Sequence, residues 1–355
     1  MAYSNFIMDT ASYNESGAEK IFGKRRLCVA PMMDWTDRHC RYFMRLISRH
    51  AYLFTEMIPT GAILHGDPEH LLRFHPSEHP LALQLGGSDP AELAACARVA
   101  AEFGYDEINL NVGCPSEKVR TGRFGACLMS EPTLVGECVA AMQEVTSIPV
   151  TVKTRIGIDD QDSYLFLQTF IAKVTAAGCA TFILHARKAW LHGLNPKQNR
   201  ELPPLRYDKV YRIKQDFPQL EIILNGGIDN LDLAGQQLQH VDGVMLGRAA
   251  YHNPYILANA DNRIFKVKGE SLSRHEIITR LLPYIDNELS KGERLHHITR
   301  HILGLFQGVR GARAWRRYLS ENAYQENAGI KVVQQALTLT EQGNLSKSFP
   351  AISWK

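Results

Sequence analysis

One residue of this 355-residue sequence that could do chemistry is a cysteine in a predicted turn. Cys114 stands in the segment Asn111-Val112-Gly113-Cys114-Pro115, where the glycine permits a sharp turn and the proline fixes φ. The thiol is therefore expected to point in one direction. It could be a nucleophile beside a base, or a general acid if it stays protonated. The remaining cysteines are expected to be small core residues with reduced thiols: Cys28, Cys40, Cys96, Cys127, Cys138 and Cys179.

A lysine and a histidine lie in two apolar segments further along the chain. Lys153 stands in Val-Thr-Val-Lys-Thr-Arg, and His185 stands in Phe-Ile-Leu-His-Ala-Arg. An unpaired charge in a desolvated site is costly, so Lys153 needs an anionic partner or a covalent role. It could form a Schiff base, lie opposite an electron-rich ring such as a reduced flavin, or be a salt-bridged structural lysine. His185 could donate to a cofactor ring or be a satisfied core histidine.

Two glycine segments could hold a phosphate group. Asn225-Gly226-Gly227 and Gly247-Arg248 each follow an apolar run. Small residues let backbone N–H groups converge on an anion, and Arg248 adds a positive charge. Either segment alone could equally be a tight turn. Their occurrence after the last two strand-like segments favours a phosphate site, because barrels commonly bind phosphate there.

Eight short apolar segments position these residues. They begin near Leu27, Leu53, Leu81, Glu107, Val150, Thr181, Glu221 and Gly243. They recur about every 31 residues, the length of a strand, a helix and two loops, and most are nearly continuously apolar. The pattern predicts an α/β fold, a (β/α)8 TIM barrel, with a doubly wound sheet as the alternative. The active site of a barrel lies at the carboxyl ends of its strands. Those ends carry Pro31, Met32, Met33, Glu56, Gln84, Asn109, Asn111, Cys114, Lys153, Arg155, His185, Arg187, Asn225, Gly226, Gly227, Gly247 and Arg248.

Helical patterns alternate with these segments and continue beyond them. One begins at the pair Asp89-Pro90, is rich in alanine and ends at Gly104. The segments 132–145 and 165–177 show a similar pattern. Residues 273–341 have helical spacing and no further strand pattern. The predicted organisation is a tail over 1–23, a barrel domain over 24–258, a small all-α helical domain over 259–345 and a second tail over 346–355.

Composition and charge limit the class of protein. The chain has 45% hydrophobic and 22% charged residues, which excludes a disordered or fibrous protein. No stretch approaches the roughly 18 apolar residues of a membrane span, and no secretion signal is evident, so we expect a cytoplasmic protein. The cysteine spacing suggests neither a disulfide framework nor a metal site. The formal net charge is +3, yet residues 291–320 hold seven Lys or Arg against the single acid Glu293.

Taken together, the ordered motifs resemble the tRNA-dihydrouridine synthases. They are VAPMMDWTDRHCR (29–41), the strand of Gln84, INLNVGCPSEKV (108–119), VKTRIG (152–157), HAR (185–187), LNGGI (224–228) and GVMLGRAAYHNPYI (243–256). The stretch GLNPKQNR (193–200) with ELPP (201–204) is similar specifically to the bacterial A subfamily. The resemblance covers the whole barrel and reaches into the helical segment.

The resemblance implies an activity, namely reduction of uridine in tRNA to 5,6-dihydrouridine, with FMN as cofactor and NADPH as electron donor. Hydride would pass from the flavin N5 to C6 of the uracil, and a positioned acid would protonate C5. By motif, that acid is Cys114. Lys153 would lie opposite the N1 and C2 edge of the reduced flavin, and Gln84 and His185 would hydrogen-bond its ring. Pro31, Met32 and Met33 would line the ring face. The phosphate would be held by Asn225, Gly226, Gly227, Gly247 and Arg248.

The implied substrate is a D-loop uridine of tRNA, at position 20 or 20a, turned out into the barrel mouth. The candidates for holding the base are Asn111, Arg187 and, third, Arg155. The basic positions that would orient the tRNA across the barrel rim and the helical domain are Lys197, Arg200, Arg313 and Arg316. A helical wheel over 302–319 places Ile302, Leu305, Val309 and Ala312 on one apolar stripe beside basic residues, although three glycines argue against an unbroken helix.

Three hypotheses remain from the residues alone. The first is the flavin-dependent tRNA reductase. The second is another barrel enzyme, either a small-molecule FMN dehydrogenase or a lysine aldolase. The third is an RNA-binding protein with an inert barrel. The sequence indicates no obligate protein partner.

Overall fold

The computed structural model describes residues 25–345 and contains an eight-stranded sheet in which neighbouring strands run parallel. The strands are β1 (Leu27–Val29), β2 (Leu53–Pro59), β3 (Leu81–Gly86), β4 (Glu107–Val112), β5 (Val150–Arg155), β6 (Thr181–His185), β7 (Glu221–Asn225) and β8 (Gly243–Leu246). The sheet closes where Val29 N–H donates to Tyr52 O at 2.9 Å and Tyr52 N–H donates to Leu27 O at 2.8 Å. The predicted (β/α)8 TIM barrel is confirmed, and the doubly wound alternative is wrong.

Helices connect the strands and cover the barrel. They are α1 (Arg38–Ile47), α2 (Thr60–His65), α3 (Pro68–Leu72), α4 (Pro90–Phe103), α5 (Glu117–Thr121), α6 (Pro132–Gln143), α7 (Tyr164–Ala176), α8 (Tyr207–Asp216), α9 (Leu231–Gln237), α10 (Arg248–His252) and α11 (Ala260–Arg263). Short 3-10 helices span Pro76–Glu78, Gly125–Ser130, Gln198–Arg200 and Pro254–Asn259. The helices predicted over 132–145 and 165–177 are confirmed as α6 and α7.

Helix α4 begins and ends where its sequence predicts. The Asp89 side chain accepts from Glu92 N–H at 2.9 Å, and Pro90 occupies the first turn, where its missing N–H is no loss. Gly104 ends the helix with φ of 82°, a left-handed conformation that favours glycine. These local signals explain why the boundaries of α4 could be predicted closely.

The hydrophobic core has two layers. The larger layer lies between the strands and their covering helices. The smaller layer fills the barrel interior and consists of Cys28, Ala30, Tyr52, Phe54, Ala82, Ile183, Ile223 and Met245. Because successive strand residues point to opposite faces, apolar residues are needed on both sides, which explains the nearly continuous apolar runs.

Within the described part of the chain, four helices follow the barrel and its covering helices: α12 (Arg274–Ser290), α13 (Leu295–Thr299), α14 (Ala312–Asn322) and α15 (Ile330–Leu345). A capping box starts α12, in which Ser273 and Glu276 each accept a hydrogen bond from the other's backbone N–H. Arg38 of α1 pairs with Glu288 and, at 2.9 Å, with Glu293, so these helices are tied to the barrel by ion pairs. The domain boundary predicted after residue 258 stays a prediction, and the predicted tails lie outside the described residues.

The apolar stripe predicted over residues 302–319 is only partly correct. Helix α14 starts at Ala312, because Gly308 and Gly311 have φ of 79° and 85° and interrupt the helix. Ile302 is buried, but Val309 is 40% exposed. Within residues 25–345, no helix combines the length and the apolar character needed to cross a bilayer.

Candidate active site

The strand register brings the predicted polar residues together at the carboxyl end of the barrel. Asn111 on β4 pairs with Lys153 on β5, Arg155 pairs with His185 on β6, and His185 pairs with Asn225 on β7. Parallel neighbouring strands end at the same edge, so these side chains form one continuous group.

Lys153 is a cation without an anionic partner among the described residues. Its Nζ donates to Oδ1 of Asn225 at 3.1 Å, and Asn225 Nδ2 in turn donates to Met245 O at 2.8 Å, which orients the amide. Burial, assisted by the positive charge of Arg155, lowers the pKa of Lys153 from 10.5 to about 7. An anion bound here would favour the charged form of Lys153.

His185 is held neutral at the same edge. Burial and the nearby cations Arg155 and Lys153 lower its pKa well below the usual value. A Cβ at Gly226, whose φ is 109°, would lie 2.6 Å from His185 Cδ2, so a glycine is needed beside the ring. A neutral imidazole can donate one hydrogen bond without adding charge.

The Cys114 turn is fixed by hydrogen bonds to its backbone. Asn111 Oδ1 accepts from Gly113 N–H at 3.0 Å and from Cys114 N–H at 2.9 Å. Cys114 O accepts from Ala126 N–H at 2.9 Å, and Sγ lies 3.5 Å from Ser116 Oγ. The thiol is partly exposed and close enough to three cations to influence their pKa values: Lys153, Arg155 and Arg200.

The remaining cysteines agree with their expected packing role. Five are buried, whereas Cys127 is half-buried and donates to Phe124 O at 3.1 Å. All seven thiols are free.

Arg155 fastens the loops around the mouth. Its Nε donates to Gly113 O at 3.1 Å, and its Nη1 donates to Lys188 O at 3.1 Å and Asn199 O at 2.9 Å. Burial lowers the pKa of Arg155 to about 10. The guanidinium of Arg155 thus donates to three backbone carbonyls. Its contact with a uracil base remains a prediction.

Arg187 lies in the loop that follows β6, two residues after His185. Its Nη1 donates to the carbonyl oxygens of Pro203 and Glu201, whereas its buried Nε has no hydrogen-bond partner among residues 25–345. A buried donor without a partner is costly, which suits a site that receives a ligand.

Sequence reasoning missed Asn199, which organises this loop. Its Nδ2 donates to Trp190 O at 2.9 Å and Leu194 O at 3.1 Å, and its Oδ1 accepts from Trp190 N–H at 2.7 Å. No local signal distinguishes this asparagine from the polar residues around it.

The glycines of the predicted phosphate site differ in what they contact. A Cβ at Gly227, whose φ is 74°, would lie 2.5 Å from a Leu205 methyl carbon, so this glycine is needed for packing. A Cβ at Gly247 would meet only Ala30 Cβ, at 3.9 Å. The packing of neighbouring side chains therefore does not require a glycine at position 247. The absence of a side chain there leaves open space beside the mouth of the barrel. Arg248 pairs with Glu201 at 2.6 Å.

The first loop and the basic rim complete the predicted set. Pro31 and Met32 are half-buried, Met32 packs against the interior cluster, and Met33 is 55% exposed. Gln84 is buried in the barrel interior. The basic residues predicted to contact tRNA are all exposed: Lys197, Arg200, Arg313 and Arg316. Among residues 25–345, no group of three or more His, Cys, Asp or Glu side chains is placed to hold a metal ion.

The mouth fits an anionic ring with a phosphate tail. It offers the half-buried amino group of Lys153, a neutral donor at His185, the buried Nε donor of Arg187 and open space at Gly247. FMN is such a molecule, since its reduced ring and its phosphate are both anionic.

Comparison with known proteins decides the family. Residues 28–341 match the model of the family described as Dihydrouridine synthase (Dus). The chain belongs to the dihydrouridine synthase family. It is 62% identical over 312 residues to the tRNA-dihydrouridine(20/20a) synthase of Shewanella oneidensis, covering 88% of this chain and 93% of the relative. It is also 60% identical over 315 residues to the protein of that name from Escherichia coli strain K12, covering 88% and 91%. The predicted family and its bacterial A subfamily are confirmed for this dihydrouridine synthase.

A solved structure supports the fold of this dihydrouridine synthase. The 2-naphthoyl-CoA reductase complexed with 2-naphthoyl-CoA is similar with a TM-score of 0.52 and 11% identity. The match covers 66% of this chain and 49% of that one, so the chain spans about half of its length. At this identity the similarity concerns the fold alone.

Proposed function

We propose that this chain is a flavin-dependent tRNA-dihydrouridine synthase that reduces D-loop uridines at positions 20 and 20a. Relatives sharing about 60% of its residues are named tRNA-dihydrouridine(20/20a) synthase. The proposed cofactor is FMN, with NADPH as electron donor, and the proposed location is the cytoplasm. The observation that carries the mechanism is the partly exposed Cys114 thiol near the half-buried Lys153, which has no anionic partner among residues 25–345.

The proposed FMN site uses the mouth of the barrel. Lys153 would face the anionic edge of the ring, while Gln84 and His185 would hydrogen-bond it and Pro31, Met32 and Met33 would line its face. The phosphate would be held by Asn225, Gly226, Gly227, Gly247 and Arg248. When bound, reduced FMN supplies the hydride that saturates C6 of the uracil.

Cys114 is the proposed acid. Its thiol would give a proton to C5 of the uracil, and the sulfur would be left as a thiolate. The thiolate would then regain a proton from water. The fixed backbone of the turn would keep the sulfur aimed at the base.

The proposed tRNA site joins the mouth to the helices after the barrel. Asn111, Arg155 and Arg187 would hold a uracil turned out of the tRNA elbow, because a stacked base cannot reach the site. The phosphate backbone would contact Lys197, Arg200, Arg313 and Arg316. The seven basic residues between 291 and 320 support a helical domain with this role.

The decisive experiment compares Cys114→Ala with Cys127→Ala, since Cys127 is the other partly exposed cysteine. Each protein is given NADPH and tRNA that lacks dihydrouridine, and nucleosides are analysed by mass spectrometry for the addition of two hydrogens. We expect Cys114→Ala to retain flavin and tRNA binding but to form product at least about 100-fold more slowly. Cys127→Ala should retain activity. Full activity of Cys114→Ala refutes the acid assignment, and no product from the flavin-loaded wild type refutes the function.

A further inference from the structure

A chain of buried polar side chains crosses the barrel interior on one side. At the amino-terminal ends of the strands, Glu107 accepts from Nε of Arg25 and from the hydroxyl of Thr151. Thr151 Oγ1 accepts from Asn109 Nδ2 at 2.7 Å, and Asn109 Oδ1 accepts from Gln84 Nε2 at 2.7 Å. The contacts among Glu107, Thr151, Asn109 and Gln84 each join neighbouring strands.

The chain ends at the Cys114 turn. Gln84 Oε1 accepts from Asn111 Nδ2 at 2.8 Å, which leaves Oδ1 of Asn111 to accept from Gly113 N–H and Cys114 N–H. Glu107 and Asn111 lie at the two ends of this path on the same strand, four residues and about 13 Å apart. An ion pair at one end of the barrel is thus connected to the candidate acid at the other.

The groups at the two ends of the polar chain determine which atom donates and which accepts in every hydrogen bond between them. A carboxylate only accepts and a backbone N–H only donates. Thr151 therefore gives its single proton to Glu107, and its oxygen remains to accept from Asn109. Turning one amide over would place two donors in one contact and two acceptors in the next. The side chains consequently have one arrangement in which every contact is satisfied.

The Arg25–Glu107 pair is poorly explained by stability alone. Apolar residues fill much of the barrel interior, among them Tyr52, Phe54 and Ile223. A buried ion pair contributes little compared with apolar residues of similar size, because both charges lose hydration. Burial lowers the pKa of Arg25, yet Glu107 and, at 2.9 Å, Glu221 raise it overall, so the guanidinium stays charged.

We propose that the Arg25–Glu107 pair is a positioning element for Cys114, acting through Thr151, Asn109, Gln84 and Asn111. The positioning follows from the hydrogen bonds themselves, whereas its consequence for catalysis rests on the proposed role of Cys114 as an acid. Arg155 also holds Gly113 O, so loss of the polar chain should loosen the turn without unfolding it.

The test breaks the chain at Thr151→Val and uses Thr154→Val as its matched control. Thr154 is a buried threonine on the same strand, whose hydroxyl donates to Val112 O at 3.1 Å outside the polar chain. Hydrogen exchange of the Gly113 and Cys114 amides is measured on the full-length, flavin-loaded proteins. We expect exchange about tenfold faster in Thr151→Val than in Thr154→Val, as for the loss of about one hydrogen bond. Thr151→Ser, which retains the hydroxyl, should restore the wild-type rate.

Activity gives an independent measurement. In Thr151→Val, kcat for dihydrouridine formation should fall about tenfold, with KM for tRNA within about twofold of the wild type. Glu107→Gln, like Thr151→Val, should speed hydrogen exchange of the Gly113 and Cys114 amides and lower kcat. It is used in place of Thr151→Val if that variant does not fold. Exchange rates in both variants equal to those of Thr154→Val would overturn the proposal. If the wild type forms no dihydrouridine, the proposed function fails, and the exchange measurement alone decides the positioning.

Discussion

The half-buried Lys153, which has no anionic partner among residues 25–345, should make the flavin-free protein more stable as the pH rises above neutrality. Its pKa is about 7 in the fold against 10.5 for an ordinary lysine, so the unfolded chain binds more protons between these values. Stability therefore increases with pH across this window. Lys153→Met removes the effect, so the variant should exceed the wild type by at most about 4 kcal/mol at pH 7 and about 2 kcal/mol at pH 9.

The assay is urea unfolding of flavin-free wild type and Lys153→Met at several pH values between 7 and 10. The difference in the free energy of unfolding isolates the lysine, because other titrating groups are common to both proteins. Loss of the contact with Asn225 Oδ1 adds only a constant offset. Lys173→Met on α7 is the control, since Lys173 is exposed and its replacement should give a difference that does not vary with pH. A difference for Lys153→Met that is equally flat would refute the reasoning.

Three further outcomes are expected. Gly247→Ala should weaken FMN binding at least about tenfold in a fluorescence titration, because its Cβ would occupy the open space beside the mouth of the barrel. The double variant Arg313→Ala, Arg316→Ala should weaken tRNA binding and reduce the magnitude of the slope of log K against log salt concentration by about 1.5 to 2. NADPH oxidation by the flavin should be unchanged. Gly243→Ala should cost about 1 to 3 kcal/mol of unfolding free energy, because its Cβ would lie 2.2 Å from a backbone oxygen. Gly235→Ala inside α9, whose Cβ meets no atom of residues 25–345 within 4 Å, should instead stabilise the protein by about 0.5 to 1 kcal/mol.

Local patterns made the barrel predictable. A strand buried on both faces needs apolar residues at nearly every position, so β1 to β8 were visible as apolar runs. The signals at Asp89, Pro90 and Gly104 act within a few residues of the helix ends they define. The candidate residues at the strand ends followed because parallel strands in a barrel must end at one mouth.

The interruption before α14 was only partly visible in the sequence. Glycines between 302 and 311 argued against an unbroken helix, but the apolar spacing still suggested that Val309 belonged to a buried stripe. The fold places Val309 in solvent because Gly308 and Gly311 take left-handed conformations. Which glycine adopts a positive φ depends on what surrounds it, as at Gly311, whose Cβ would lie 2.7 Å from Thr340 Cα.

The sequence by itself determined the family, the barrel and the set of polar residues at its mouth. Only the tertiary structure decided what several of those residues contact. Arg155 donates to a carbonyl 44 positions away, and Arg25 pairs with carboxylates 82 and 196 positions away. Such contacts depend on the stagger and closure of strands distant in the chain, whereas propensity and periodicity act only between near neighbours.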